Sequence, residues 1–297
     1  VSIVAPHSSG SRASRAARAG SFGGRRGPWR IVQPIVVLLA VVLLVGMPLW
    51  IIVVTAGKTQ AEALRPDLSL PQHWQLFENF GEVWRDGNVP GAFLGSLIIM
   101  IPSVFLVLVL GSLASWVLAR RRSRLSAMLY ALAISGIVLP PAVVTIVLLL
   151  RQLGLAGSIV GMVGVYVGMY MSTVVFFVTG FIRTIPVELE EAARVDGAAP
   201  LRVFRTVILP LLVPVLSTAT ILICLYIWND VFYAFFVVGG RVETLPLNLY
   251  DVASAGLYLN NWHLIFAYVI LMSLPLLITF IVAQRKIISG ITSGAVK

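Results

Sequence analysis

Apolar residues in this chain are gathered into six long blocks with no charged side chain, and that arrangement governs what the chain can fold into. The blocks are residues 31–54, 93–119, 125–150, 153–182, 206–229 and 264–284. Most residues of the first are Leu, Ile or Val. Each such residue favours insertion at mid-bilayer depth by roughly 0.3 to 0.6 kcal/mol, whereas a central charge would cost about 2.5 to 3.5 kcal/mol. Every block exceeds the ~20 residues that cross ~30 Å of hydrocarbon. The pattern predicts an all-α membrane protein with six transmembrane helices. Prolines within the blocks, among them Pro34, Pro102, Pro140, Pro141, Pro214 and Pro275, are compatible with this, because neighbouring helices satisfy the carbonyls a proline frees. Only 11% of residues are charged, against roughly 25% in soluble domains.

The formal net charge of +10 would suggest a nucleic-acid partner in a soluble protein. Its placement points instead to membrane orientation. Arg12, Arg15, Arg18, Arg25, Arg26 and Arg30 precede the first block, and Arg120, Arg121, Arg122 and Arg124 separate the second from the third. Arg183, Arg194, Arg202 and Arg205 follow the fourth, and Arg285, Lys286 and Lys297 follow the sixth. If the spans alternate, all of these fall on one side. On the other, segments 55–92 and 230–263 hold four basic residues against eight acids. The excess of Lys and Arg on the cytoplasmic side predicts that both termini are cytoplasmic.

Residues 1–30, rich in Ser, Arg, Ala and Gly, read as a disordered basic tail, and residues 31–297 as the transmembrane domain. Arg25-Arg26 lacks a following small-residue cleavage site, so the first span is expected to be an uncleaved anchor. Gly57-Lys58-Thr59 resembles the end of a phosphate-binding loop, but Ile52 stands where that motif needs glycine. His7, His73 and His263 are scattered, and Cys224, the only cysteine, has no disulfide partner. No metal site, cofactor site or catalytic constellation is expected. Trp74, Phe77, Phe80 and Trp84 recur at near-helical spacing, as in a short interfacial helix or a surface that touches an extracytoplasmic partner. Gly157, Gly161, Gly164 and Gly168, continued by Ser172, form a stripe of small residues that lets helix backbones approach closely. The sequence leaves open whether that stripe meets this chain or another subunit.

The most informative stretch is residues 185–206. Pro186 suits a helix's first turn, and Glu188, Glu190 and Glu191 favour its positive end. Glu190 precedes Arg194 by four residues, the favourable orientation for an ion pair. Gly197 provides the left-handed residue that ends a helix. Pro200 then opens a second helix carrying an apolar stripe of Leu201, Phe204, Ile208 and Leu211. The prediction is a cytoplasmic helix–turn–helix running into the fifth span. From periodicity alone it could dock on another protein or lie on the membrane.

The run Glu191-Ala-Ala-Arg-Val-Asp-Gly-Ala-Ala-Pro-Leu-Arg-Val-Phe-Arg-Thr-Val-Ile-Leu-Pro210, with Pro214, resembles the EAA loop of ABC-importer membrane subunits. The resemblance covers residues 31–297. Leu139-Pro140, Leu153-Gly154-Leu155, Trp228-Asn229-Asp230, Thr244-Leu245-Pro246 and Gln284-Arg285 are similar to the maltose-type carbohydrate branch. So is the tail from Gly290 to Lys297. Gly95-Ser96 departs from a common Asn-Ser pair, and Val147 replaces a frequent Pro.

The resemblance implies the type I ABC importer permease fold with a cytoplasmic coupling helix–turn–helix. It also implies partners: a homologous second permease subunit, an ABC ATPase dimer that binds the ATP, and an extracytoplasmic solute-binding protein. Glu191, Ala192, Ala193, Asp196, Gly197, Ala198 and Phe204 would dock the ATPase. Gly290, Thr292, Gly294 and Lys297 would form a second contact, within a cytoplasmic tail of residues 285–297. The implied cargo is a sugar, with glycerol phosphate or another polar solute as the alternative. Thr145, Tyr166, Tyr170, Ser217, Thr220, Tyr226 and Asn229 suit a hydroxylated solute but also suit helix–helix bonding, so no substrate site is assigned. A stand-alone secondary transporter would be expected to carry buried charges or internal repeats across its spans, and a membrane enzyme a constellation at the bilayer edge.

Overall fold

A computed structural model describes residues 29–139, 141–254 and 260–295, with side chains described for 32–139, 141–254 and 260–281. Among the described residues there are helices and no strands. In order they are α1 (Trp29–Val41), α2 (Met47–Ala56), α3 (Gln60–Ala63), α4 (Leu76–Asp86), α5 (Val89–Arg120), α6 (Arg124–Ser135) and α7 (Val143–Gln152). There follow α8 (Ile159–Ile182), α9 (Glu188–Val195), α10 (Pro200–Val203), α11 (Leu209–Trp228), α12 (Phe232–Val238), α13 (Leu245–Ser254) and α14 (Trp262–Ala295).

Among the described residues, five helical stretches are long and apolar enough to cross a membrane: Val32–Ala56, Val89–Arg120, Ile159–Ile182, Pro200–Trp228 and Trp262–Ile281. The block at residues 125–150 differs from the single span expected. It is two helices, α6 of 12 residues and α7 of 10. At about 1.5 Å per residue neither alone covers ~30 Å. The cause lies between them. Gly136 ends α6, and the sequence Pro140-Pro141 removes two consecutive N–H donors and disfavours helical geometry before each ring.

Two other prolines are accommodated without breaking a helix. Each follows a π-helical turn, at Val42–Gly46 before Pro48 and at Phe204–Ile208 before Pro210. A proline ring collides with the carbonyl four residues back, and Leu44 and Thr206 occupy those positions. Widening the turn relieves the collision, and the N–H groups of Met47 and Leu209 donate to Val42 and Phe204, five residues back.

The chain divides into two units, residues 1–49 and 50–297. In the first, the described side chains are all exposed and almost all apolar, as expected of a helix whose solvent is lipid. The second has two cores. One is built on α5, α8 and α11, with Ile99, Val107, Met162, Val178, Ile208 and Ile223 buried. Close approach of α5 to α8 needs Gly111, where a Cβ would stand 2.6 Å from the Val174 side chain. The other core joins the end of α2, α4, the start of α5, α13 and α14 around Ala56, Val83, Trp228, Leu245 and Tyr268.

That second core explains the Gly95-Ser96 departure. The Glu243 carbonyl lies against Gly95, 2.0 Å from where a Cβ would be, and Ser96 Oγ accepts the Leu245 N–H at 2.9 Å. Asn88 Nδ2 donates to Glu243 Oε2 at 2.6 Å, so the segment before α13 is fastened to the start of α5.

Candidate functional site

The segment between α8 and α11 is the feature the sequence singles out, and its backbone follows from its residues. Helix α9 begins at Glu188, two residues after Pro186, with Glu188, Glu190 and Glu191 in its first turn. It ends in a Schellman motif: Gly197 N–H donates to the Arg194 carbonyl at 3.0 Å, and Ala198 N–H to the Ala193 carbonyl at 3.0 Å. Gly197 has φ +80°, a conformation in which side chains are strained. Pro200 then occupies the first turn of α10.

One face of this unit is anchored. The Glu190 carboxylate is fully buried, accepting from Arg120 Nε at 2.6 Å and from Trp116 Nε1 at 3.0 Å. The Arg194 guanidinium lies 3.5 Å from the same carboxylate. Arg120 Nη2 also donates to the Ile185 carbonyl at 3.0 Å, and the Trp116 ring packs on Phe204 with centroids 5.5 Å apart. Trp116 and Arg120 are four residues apart on α5 and so share a face. The end of α5 therefore grips the loop at three points: its start at Ile185, its first helix at Glu190 and its second arm at Phe204.

The opposite face is open. Glu191, Ala192, Asp196 and Gly197 are exposed, as are Val195 and Leu201, at 87% and 68%. Ala193 and Ala198 are half-buried. Phe204 stands apart from the other expected docking residues, because it is buried and turned toward α5.

The other expected positions are scattered. Gly157 lies before α8, in a turn with φ +72°, and its N–H donates to Val237 at 2.9 Å. Gly161 sits in the first turn of α8, where a Cβ would meet the Leu155 carbonyl at 2.3 Å. Nothing lies within 4 Å of a Cβ at Gly164 or Gly168, and both line a cavity of about 420 Å³ together with Gly136 and Leu150. Gly290, Thr292 and Gly294 are described only as helical backbone of α14, while Lys297 and residues 1–28 lie outside the described residues.

Of the solute-suited residues, Ser217, Thr220 and Asn229 donate to carbonyls of their own helix, those of Val213, Leu216 and Leu225. Tyr166, Tyr170 and Tyr226 form a stacked row with centroids 6.0 and 5.8 Å apart, and Tyr166 Oη donates to Asp230 Oδ2 at 2.8 Å. On α4, Val83 and Asn79 are buried, whereas Phe77 is 83% exposed and Trp84 is also exposed. Phe80 packs inward against the second core.

A helical membrane chain with a clamped, outward-facing helix–turn–helix has the architecture of an importer permease. Among solved structures it resembles a bacterial ABC transporter that imports the acidic polysaccharide alginate, with a TM-score of 0.75 and 20% identity over 86% of this chain and 95% of that one. That likeness establishes the fold. The family described as the inner membrane component of binding-protein-dependent transport systems matches residues 107–292, and this chain belongs to it. It is 38% identical to the melibiose/raffinose/stachyose import permease protein MelC of Bacillus subtilis (strain 168), over 74% of this chain and 81% of that protein. It is 30% identical to the diacetylchitobiose uptake system permease protein NgcG of Streptomyces coelicolor, over 94% and 92% of the two chains. The expectation of an ABC-importer permease drawn from the Glu191–Pro210 run is thus borne out.

Proposed function

We propose that this protein is one of two membrane subunits of an ATP-driven sugar importer, forming half of the path for a mono-, di- or oligosaccharide. The observation that carries the coupling role is the two-faced loop, clamped to α5 through Glu190 and open along Glu191–Gly197. A rigid attachment on one side and a free surface on the other is what transmits force between subunits. Glu191 and Asp196 are the charged docking groups, and Ala192, Ala193, Gly197 and Ala198 supply close fit to a cytoplasmic ABC ATPase. Phe204 acts from behind, holding the second arm against Trp116.

ATP-driven closure of the ATPase pair moves α9 and α10. Through the Arg120–Glu190 attachment α5 moves with them, and the pathway alternates between inward- and outward-facing states. In this reading both termini are cytoplasmic, α6 and α7 together complete a sixth crossing, and the residues from Gly290 to Lys297 give the ATPases a second contact. On the outer side, α12 and α13 meet the solute-binding protein. The sugar assignment rests on the named roles of relatives such as MelC, NgcG and the multiple sugar-binding transport system permease protein MsmG of Streptococcus mutans.

The test is affinity recovery from solubilised membranes with the intact chain and with Glu191→Lys and Gly197→Pro. The intact chain should bring down an ATPase and a second multi-span subunit, and the variants should lose the ATPase while keeping the membrane partner. Recovery of the ATPase by both variants would overturn the docking assignment.

A further inference from the structure

Beside the clamp lies a cleft of about 1130 Å³, bounded by the end of α5, the start of α6, the end of α8 and the start of α9. Six arginines line it: Arg120, Arg121, Arg122, Arg124, Arg183 and Arg194. Only two carboxylates join them, those of Glu188 and Glu190, so six positive charges less two negative leave a net of +4. Arg120 and Arg194 share Glu190, and Arg183 lies over the Tyr130 ring at 4.8 Å. The side chains of Arg121, Arg122 and Arg124 make no hydrogen bond or ion pair among the described residues, and all three residues are exposed.

Like charges this close repel, and nothing in the coupling role requires them to converge on a cavity. Orientation of the spans asks only for basic residues somewhere on the cytoplasmic side. Three unpaired guanidiniums around one concavity match the oxygens of a phosphate, which arginine holds through paired N–H donors. The positive end of α6, a helix of 12 residues, adds to the field.

The surroundings indicate where such a phosphate comes from. Leu125, Met128, Leu129 and Leu132 of α6 are all exposed and follow directly on Arg124, which lines the cleft, on the side of the helix opposite Ser126 and Ala127. The arginines at the start of α6, with an apolar face running on from there, have the outline of an anionic phospholipid, its head at Arg121, Arg122 and Arg124 and its chains passing the start of α6 onto that face. Basic pockets between spans on the cytoplasmic side hold such head groups. A free phosphate would use the pocket and leave the apolar face uncovered.

We propose that this cleft binds a phosphodiester anion, supplied as the head group of an anionic phospholipid. The site lies directly behind the coupling helix, so its occupant bears on the start of α9. The assignment of the cleft to the cytoplasmic leaflet rests on the orientation given under the proposed function.

The test uses the whole importer purified with its partners in detergent, with retained lipid read by native mass spectrometry. Phosphatidylglycerol, phosphatidylcholine and soluble glycerol phosphate are added in separate arms. Phosphatidylglycerol should be retained over phosphatidylcholine. Arg121→Gln/Arg122→Gln/Arg124→Gln should weaken that retention on the order of a hundredfold, from about one surface-charge contribution per arginine. Arg12→Gln/Arg15→Gln/Arg18→Gln, which removes as many charges from the same side, should leave retention unchanged. If the glutamine variant fails to insert, the triple lysine variant keeps the charge and loses the paired donors, and should still weaken retention. Equal loss in the tail variant, or no loss in either cleft variant, overturns the site. Competition by glycerol phosphate at the concentration of the lipid overturns the lipid as its source. Recovery of the ATPase in the same preparation separates these outcomes from failure of the coupling assignment.

Discussion

Replacing Glu190 with alanine strands two groups at once. The Arg120 guanidinium loses its carboxylate at 2.6 Å and the Trp116 indole N–H loses its acceptor at 3.0 Å. The Glu190 side chain is 1% exposed and that of Arg120 is 15% exposed, so little water replaces what is removed. Breaking a buried pair by deleting one partner costs roughly 3 to 5 kcal/mol. Arg120 keeps its bond to the Ile185 carbonyl and some solvent contact, which places Glu190→Ala near the lower end, about 3 kcal/mol. Most of that loss falls on the attachment of α9 to α5 rather than on the spans, whose cores are elsewhere. The local opening equilibrium of α9 should therefore rise on the order of a hundredfold.

Hydrogen exchange of the amides of Glu188–Val195, measured in the assembled importer, reads that change directly. Arg120→Ala should act similarly, and the double variant should cost less than the two single losses added, by about 1 kcal/mol or more, because neither charge is left alone. ATP-driven uptake into proteoliposomes should fall in the single variants even where the ATPase remains bound. Unchanged exchange in Glu190→Ala, or strict additivity in the double variant, would refute the clamp.

Two further predictions concern the side of the molecule away from the clamp. Gly95→Ala places a methyl 2.0 Å from the Glu243 carbonyl, a backbone atom that cannot swing aside, so the 243–245 segment must leave α5 and the Leu245–Ser96 bond must break. The importer's melting temperature should fall by several degrees, and an unchanged value would show that the segment gives way freely. The second concerns Asp67, which accepts from the Lys58 ammonium and from Ser69 Oγ and N–H, bonds that hold its carboxyl well below its ordinary 3.8, at about 2. A depressed carboxylate stabilises the folded loop above its unfolded pKa, and that contribution is lost as pH falls through the folded one. Proteolysis of the 57–72 segment should accelerate as pH falls between 3.8 and about 2, and Asp67→Asn should weaken that dependence, leaving the part due to Glu62, whose carboxylate is held below its ordinary value by the Thr59 and Gln72 N–H groups.

Much of the fold was legible because hydrocarbon leaves the backbone few choices. Uncharged blocks at residues 93–119 and 153–182 became α5 and α8 within a few residues of their expected ends, and Gly197 and Pro200 set the turn as their chemistry requires. The split of the third block was signalled by Pro140-Pro141, but apolar length outweighed it, since single prolines elsewhere in the chain are absorbed inside helices, at Pro34, Pro102, Pro214 and Pro275, or after π-helical turns, at Pro48 and Pro210.

What could not be read was pairing at a distance. Glu190 looked like a helix-start acid with a local partner in Arg194, whereas its strong partners, Trp116 and Arg120, are 74 and 70 residues away. Their spacing of four at the end of α5 was the available signal, and only folding brings it opposite Glu190. Phe204 fell on an apolar stripe without indicating which side that stripe would bury. Likewise, helical spacing grouped Gly157 with Gly164 although Gly157 stands outside the helix, in a turn that needs its positive φ.

The central claim is that the open face of α9 touches an ATPase, and proximity at Val195 tests it most directly. Val195 is 87% exposed at the tip of the loop. In a Cys224→Ser background, Val195→Cys carrying a short photo-crosslinker should join the chain to the ATPase in the assembled importer, with the yield changing on ATP binding. If Val195→Cys reacts readily with a soluble maleimide yet yields no cross-link to the ATPase in an assembly that contains it, the docking account is contradicted.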